Sequence, residues 1–564
     1  MNDALLLDAD VLVIGSGAAG MMAARAASDV GASVIIADKS LIGRGGATIL
    51  AQMTVAVALG AAEPDSPELH AADTLEGSRG LADPEIVRAI TERGPEVILE
   101  AERYGTKWAR VADGSYSQVH APGHSRKRCV YVDVLRTGDG VSTALRSAIW
   151  RDPNITRLSN VMITQLLADD GTVIGAAGFA LEALRPVGIS ASTVIIAAGG
   201  MTQVYARNSA SANMTGDGLM LAAAIGARLS NPEMVQFFPI AHLYPPLVHL
   251  DPIMWDPFRY KLGGRLLNGE GNEFMDRYNG EVGGRYTAPR DVATWAIFQE
   301  VKAGRGSPHG GVYLDFKDVD PQRIAREFGG VVKILADQGI DLARDTVEVS
   351  PTAHFYLSGI EVDAAMQTTV DGLLACGEAI DGMHGANRLS GNAITEALVT
   401  GRIAGETAAA RPRTARAPIA RAVESEWARL QAFWHPRAVG HDEIRLARLK
   451  ARLQHVMWTG AGPLREEAGL QSALADVRAV RAEAGDVALA RTTVFPLSLQ
   501  EKVELRTMID VSEAVILGAL ARTETRGAHV RLDYPETDAS PVRRSFTYDG
   551  GAWTSEVAAP VIPA

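Results

Sequence analysis

The sequence predicts an α/β protein in which a Rossmann-like dinucleotide-binding domain is split by an inserted α+β capping domain and followed by a C-terminal helical domain. Three observations lead there. A strand, a glycine turn, a helix and a second strand ending on an acid occupy residues 10–38. Two further apolar strands that close on glycines, at residues 193–200 and 372–378, suit the same kind of sheet but lie far downstream. The last third of the chain changes to long stretches of helical periodicity.

Val11-Leu12-Val13-Ile14 is a continuous apolar run with the length and β-branched content of a buried strand. It enters Gly15-Ser16-Gly17-Ala18-Ala19-Gly20, after which Met21–Val30 reads as an alanine-rich helix and Ser33–Ala37 as a strand ending on Asp38. Gly15 suits the tight turn, Gly17 lets the backbone approach a pyrophosphate, and Gly20 permits close packing of helix on strand. The helix start offers unpaired N–H groups and a positive dipole end to phosphates. Asp38 is placed to accept hydrogen bonds from both ribose hydroxyls, which disfavours a 2′-phosphate and hence NADP.

Thr193–Gly200 is expected as a second buried strand beside the nucleotide. Gly372–Glu378 reads as a short strand ending in Gly-Glu, and His384–Ile394 leads into a helix running through Gly405. Half-sites this far apart in sequence imply an insertion. The expected organisation is residues 1–231 and 349–410 as the two parts of the nucleotide domain, with residues 232–348, rich in proline, glycine and aromatics, as the capping domain. Ala408–Ala422 reads as a proline- and arginine-bearing linker. Residues 411–564 form the helical domain with an irregular tail, its helices expected within Glu424–His455, Leu464–Ala484 and Glu501–Arg522.

Bulk properties narrow the function. The 564 residues exceed one core, and roughly three to four domain-sized units are the usual expectation. Hydrophobic residues at 47% and charged residues at 22% describe a globular chain. The net charge of −12 argues against nucleic acid or anionic membrane as a partner. Cys129 and Cys376 stand far apart with no metal-ligand spacing, so neither a disulfide framework nor a metal site is expected. Met1–Asp10 has no basic segment of a signal peptide. No run reaches the ~18–20 apolar residues of a membrane span, so a cytoplasmic protein with no transmembrane segment of its own is expected.

Other motifs carry a family resemblance. Besides the Gly15–Gly20 turn they are Thr215-Gly-Asp-Gly218, Asn272-Glu-Phe-Met-Asp-Arg277 and Pro289-Arg290-Asp291. They continue through Pro351-Thr352-Ala353-His354-Phe355, Gly377-Glu378, His384-Gly-Ala-Asn-Arg-Leu-Ser-Gly-Asn392 and Ala521–Pro535. Together they extend over nearly the whole chain, which resembles the flavoprotein subunits of succinate dehydrogenase and fumarate reductase and the related L-aspartate oxidase. The resemblance implies FAD rather than NAD as the dinucleotide. It implies a cofactor-contacting set of Gly15, Gly17, Ala18, Ala19, Gly20, Asp38, Lys39, Gly45, Gly46, Ala198, Gly199, Asp217, Gly377, Glu378, Arg388, Gly391, Asn392 and Ala393. Glu378 would lie at the ribityl chain and the Asn392–Ala393 backbone near the pyrimidine edge of the flavin. Family members with covalent flavin attach it through a histidine just after the second strand. The matching Gly43-Arg44-Gly45-Gly46-Ala47-Thr48 has none, so non-covalent FAD is expected.

For catalysis the resemblance implies Arg388 and His354 on a substrate carboxylate and Arg290, carried by the capping domain, as the proton-moving group. A guanidinium suits bidentate carboxylate binding. At its ordinary pKa it is a poor general acid and must act within a relay. The family's His-Pro-Thr-Gly substrate motif is replaced by Phe238-Pro239-Ile240-Ala241, its Thr-Glu pair by Asp256-Pro257, and its glycine-rich loop by Tyr260–Gly264. An aromatic before the Gly123-His124-Ser125 motif is replaced near Ala121-Pro122. One carboxylate clamp therefore survives opposite a wall expected to be apolar at Phe238, Ile240 and Ala121, with His242 or Lys261 as the candidates for a compensating cation. The expected function is FAD-dependent interconversion of a small carboxylic acid and its unsaturated form, with a separate iron–sulfur or other electron-transfer protein as a candidate partner that could place it at a membrane. The alternatives are an amino-acid oxidase similar to L-aspartate oxidase and a non-catalytic electron-transfer protein.

Overall fold

The computed structural model describes residues 4–133, 135–247, 253–278, 286, 288, 290–412, 418–434, 442–490 and 492–558. Pro289 and residues 413–417 of the expected linker lie outside the described residues.

A seven-stranded sheet organises the first layer. Strand Leu5–Ile14 lies between the parallel strands Val34–Ala37 and Arg185–Ile196, and Leu373–Ala375 pairs in parallel with the latter. Register places Ile14 beside Ala37 and Ile196, and Ala375 beside Ile196. Gly15, Asp38, Ala197 and Cys376 therefore leave the sheet along one edge, at the carboxyl ends of its strands, where open α/β sheets bind ligands. The near-continuous burial of Val11–Ile14 and Val194–Ile196 explains their apolar runs, since both faces of this sheet are covered. The expected strand 193–200 is longer at its start and ends at Ile196. Gly199, at φ +74°, has left strand geometry.

Helix Ala18–Asp29 follows the glycine turn, and helix Asn392–Ala410 lies against it. Their contact is made of small residues: a Cβ on Gly401 would stand 2.3 Å from the Ala19 carbonyl oxygen, and one on Gly405 2.3 Å from that of Ala23. A β-carbon at Gly20 would stand 2.0 Å from the carbonyl oxygen of Gly15. Alanine richness in the first helix thus serves close approach of backbones.

A second sheet of four strands, Val235–Tyr244, Val347–Tyr356, Val312–Asp315 and Arg265–Leu267, carries its own apolar core with Trp255, Phe258, Phe316 and helices Arg290–Lys302 and Pro321–Asp337. The C-terminal region divides differently from the sequence expectation. The stretch Glu424–His455 belongs to two helices, Ala420–Trp434 and Glu443–Gly460, which precede Glu467–Gly485 and Leu497–Ala521. The segment expected as an irregular tail contains a hairpin, Arg544–Asp549 with Ala552–Val557, that pairs with Leu229–Ser230. Local alternation is weak there, and the pairing edge comes from residues more than 300 positions earlier.

Candidate functional site

One cavity runs from the sheet edge to the capping sheet and encloses about 1720 Å³ of open space, its mouth included. Gly15, Gly17, Ala18 and Ala19 line one end with Asp38 and Lys39. Gly45, Gly46, Ala198, Gly199, Asp217, Glu378, Gly391 and Ala393 line its length, and Arg290, His354 and Arg388 line the end under the capping sheet.

Three residues expected to touch the cofactor do not line the cavity and act behind its wall. Gly20 takes the close approach to Gly15 described above. Gly377, at φ +68°, donates its N–H to Thr400 Oγ1 at 2.9 Å and turns the chain into Glu378. The Asn392 side chain is held by His70 Nε2 at 2.8 Å and by Thr74, which leaves the backbone as the part of Asn392 expected near the flavin. Asp38 is also more committed than its position suggested. Its carboxylate accepts the N–H and Oγ–H of both Ser16 and Ser40, tying the glycine turn to the end of the second strand. Lys39 and Asp217 face the cavity as an ion pair of 2.6 Å, and Glu504 of the long C-terminal helix joins Lys39 at 2.8 Å.

The glycine cradle fits FAD. Gly15 sits at φ +104°, a β-carbon there would stand 2.4 Å from the Ala197 carbonyl oxygen, and the helix start behind it points into the cavity. Midway along the cavity Glu378 accepts the Tyr356 N–H at 2.9 Å, and burial pushes its carboxyl up to about 8, leaving it protonated at neutral pH.

The far end concentrates unsatisfied donors. Arg388 is buried, and neither its Nε nor Arg290 Nη1 has a hydrogen-bond partner among the described residues. Burial, then the charge of Arg290, brings Arg388 down to about 9. Its guanidinium lies 4.7 Å from the Phe355 ring centre, and Gln236 donates to its carbonyl oxygen at 2.9 Å, which sets its place in the loop. His354 is held well below its ordinary pKa by burial and then by Arg388 and Arg290, so it is neutral. Ser209 Oγ is 2.8 Å from its Nδ1. With Ser209 donating there, the proton sits on Nε2 and is available to a ligand. His354 is therefore neutral beside a cation, a donor from Nε2 when Ser209 donates to Nδ1 and an acceptor at Nε2 when Ser209 donates instead to Ala353 O at 3.4 Å. Arg290 Nη2 reaches Ser390 Oγ at 3.4 Å, its cation lies 4.8 Å from the Phe238 ring centre, and buried Asp256 interacts with it electrostatically.

The opposite wall differs from the expectation in detail. Phe238 is in the lining, but Ile240 is not: it belongs to the core of the capping domain. Phe238 pairs with Thr352 and Ala241 with Ser350, so the strand carries an extra residue between them and its alternation slips. Ala121 sits in a small cluster with Ala56 and Cys129, off the lining. Neither proposed compensating cation serves. Burial lowers the pKa of His242, whose Nε2 donates to Pro245 O at 2.6 Å while Nδ1 accepts from Trp255 at 3.2 Å, and Lys261 is exposed outside the cavity. Ser209, Met53 and Met254 stand in none of the motifs above, and Phe355 closes the Pro351–Phe355 motif without a role that the motif assigns to it.

Sheet edge, glycine turn and unsatisfied arginines together define a class: FAD-binding oxidoreductases that act on an anionic substrate end. Residues 10–394 match the FAD binding domain family, and residues 450–557 match the fumarate reductase flavoprotein C-terminal family. The chain is 35% identical to one of the subunits of the fumarate reductase (CoM/CoB) of Methanothermobacter marburgensis over 94% of this chain and 95% of that one. It is 32% identical to the L-aspartate oxidase of Streptomyces coelicolor over 95% and 90% of the two chains. Among solved structures, Mycobacterium smegmatis Sdh1 superposes with a TM-score of 0.87 at 33% identity, covering 99% of this chain and 94% of that one. The quinol fumarate reductase FrdA of E. coli gives 0.90 at 28% identity, covering 99% and 98%. The chain belongs to the fumarate reductase and succinate dehydrogenase flavoprotein family, and FAD is its cofactor.

Proposed function

We propose that this protein interconverts a carboxylic acid and its α,β-unsaturated form, using FAD held without a covalent bond. The observation that carries the reading is the convergence of Arg290, His354 and Arg388, from three separate segments, on one end of the FAD cavity, where Arg388 Nε and Arg290 Nη1 have no hydrogen-bond partner among the described residues. FAD, when bound, supplies the two-electron acceptor or donor. Arg388 takes a carboxylate through its planar fork, and the neutral His354 adds a hydrogen bond from Nε2. Arg290 gives a proton to, or takes one from, the carbon next to that carboxylate, and Asp256, which interacts with it electrostatically, returns or removes the proton. Phe238 beneath Arg290 keeps water from the reacting carbons.

Electrons then leave or arrive through a separate protein, an iron–sulfur protein being the proposed kind. No helix among the described residues is long and apolar enough to cross a membrane, and we place the protein in the cytoplasm, at a membrane only through that partner. Anaerobic mixing of the purified protein with carboxylic acids, amino acids included, tests the function. Bleaching of the oxidised flavin by a saturated acid, or recolouring of the reduced flavin by an unsaturated one, supports it. Bleaching by L-aspartate alone would replace it with an oxidase reading.

A further inference from the structure

The substrate end of the cavity has two chemically unlike walls. One is the Arg388, His354 and Arg290 group. The other begins at Phe238 and continues through Met254 and Met53, which pack with Phe238 and Ala241 into one apolar cluster. The Phe238 ring is held from two sides, by the Arg290 cation at 4.8 Å and by the His354 ring at 5.4 Å in an edge contact. It cannot swing away without losing both. Among the described residues, the arginines and lysine in the lining are Arg290, Arg388 and Lys39, and Lys39 is committed to Asp217 and Glu504. His242 and Lys261 supply nothing to this wall.

We infer that the substrate is a monocarboxylate whose β-carbon carries an apolar group, an alkyl chain or an aryl ring, and that Phe238 sets this preference over a dicarboxylate. The inference rests on the carboxylate reading above and names its substrate class. In the oxidising direction a C–H bond at the β-carbon breaks and its electron pair leaves with the hydrogen as hydride to FAD. A C–H bond at the α-carbon gives up a proton to the Arg290–Asp256 pair, and the carbon–carbon double bond forms between them. Each methylene buried against this wall strengthens binding by about fourfold. A second carboxylate in the same place loses its hydration against apolar groups and meets no cation there among the described residues.

The test uses the FAD-loaded protein. Dissociation constants for succinate, butyrate and 3-phenylpropionate, read from the shift of the oxidised flavin spectrum, examine binding without turnover. Values of kcat/KM for fumarate, crotonate and cinnamate with a reduced viologen dye examine turnover. Butyrate and 3-phenylpropionate are expected to bind about tenfold or more tightly than succinate, with crotonate or cinnamate ahead of fumarate by a similar factor. Phe238→His should shrink both ratios by about tenfold, while Phe238→Leu, which stays apolar, should keep them. Should the histidine variant lose its flavin, the wild-type and Phe238→Leu ratios decide alone. Wild-type preference for succinate and fumarate overturns the inference and leaves the carboxylate reading standing. If none of these acids perturbs the flavin or turns over, both fall.

Discussion

Individual side chains at the cavity are controlled by burial more than by type. Arg388 is the clearest case, because its guanidinium is buried beside a second arginine and has an open donor. Replacing it with lysine keeps the charge but not the fork. We expect Arg388→Lys to retain FAD and to lose about 1.5–3 kcal/mol of transition-state stabilisation, on the order of a 10–150-fold fall in kcat/KM. Unchanged kinetics in a fully flavin-loaded variant would show that the carboxylate is held elsewhere. Its titration adds a sign. With Arg388 at about 9, the cation is present below that pH and lost above it, so carboxylate binding should weaken as pH rises through 9. A binding constant flat from pH 7 to pH ~10.5 would contradict this.

Glu378 titrates the other way. Burial raises it from an ordinary 4.5 to about 8, so the folded protein binds a proton there that the unfolded chain has released. Stability from this group is full below 4.5 and declines as pH climbs through 8. In Glu378→Gln the loss is absent, and the variant should gain in thermal midpoint over wild type progressively across that window. Parallel midpoint curves for the two proteins would exclude a proton on Glu378.

At the scale of elements, the nucleotide-binding helix owes its position to a contact between glycines and alanines. Gly401 and Gly405 let helix Asn392–Ala410 lie against backbone carbonyls of helix Ala18–Asp29. The start of the first helix lines the cavity, and the second begins just after Arg388–Gly391. A β-carbon at Gly401 must therefore push the two functional ends apart. We expect Gly401→Ala to cost about 1–3 kcal/mol of stability and to weaken FAD binding, although residue 401 is outside the cavity lining. Full FAD affinity in a destabilised variant would mean that the helices shift without moving the turn. The slipped alternation between Phe238 and Ala241 works at the same scale. It turns Ile240 into the capping core and leaves Phe238 over the site.

The whole molecule assembles one cavity from both parts of the nucleotide domain, the capping sheet and, through Glu504, the C-terminal helices. On the proposed non-covalent binding, precipitating the protein with acid should release a yellow supernatant and leave a colourless pellet. Colour remaining with the chain would reveal a covalent bond. Added FAD should also raise the unfolding midpoint, contributing about 2.7 kcal/mol at a hundredfold excess over Kd.

The sequence by itself determined the parts of this protein that depend on neighbours along the chain. Gly15, Gly17, Gly20 and Asp38 are legible because a glycine turn between strand and helix has a local backbone requirement. Arg290, His354 and Arg388 are legible because each sits in a short, specific motif. Tertiary structure alone decided what those residues face. Ser209 orients His354 from 145 positions away, and Met53 meets Phe238 from a segment on the far side of strand Arg185–Ile196 in sequence. One bulge reversed the orientation that simple alternation assigns to Ile240. Side-chain direction after a bulge and contact between distant segments are settled by packing into a shared core, and no local pattern encodes them.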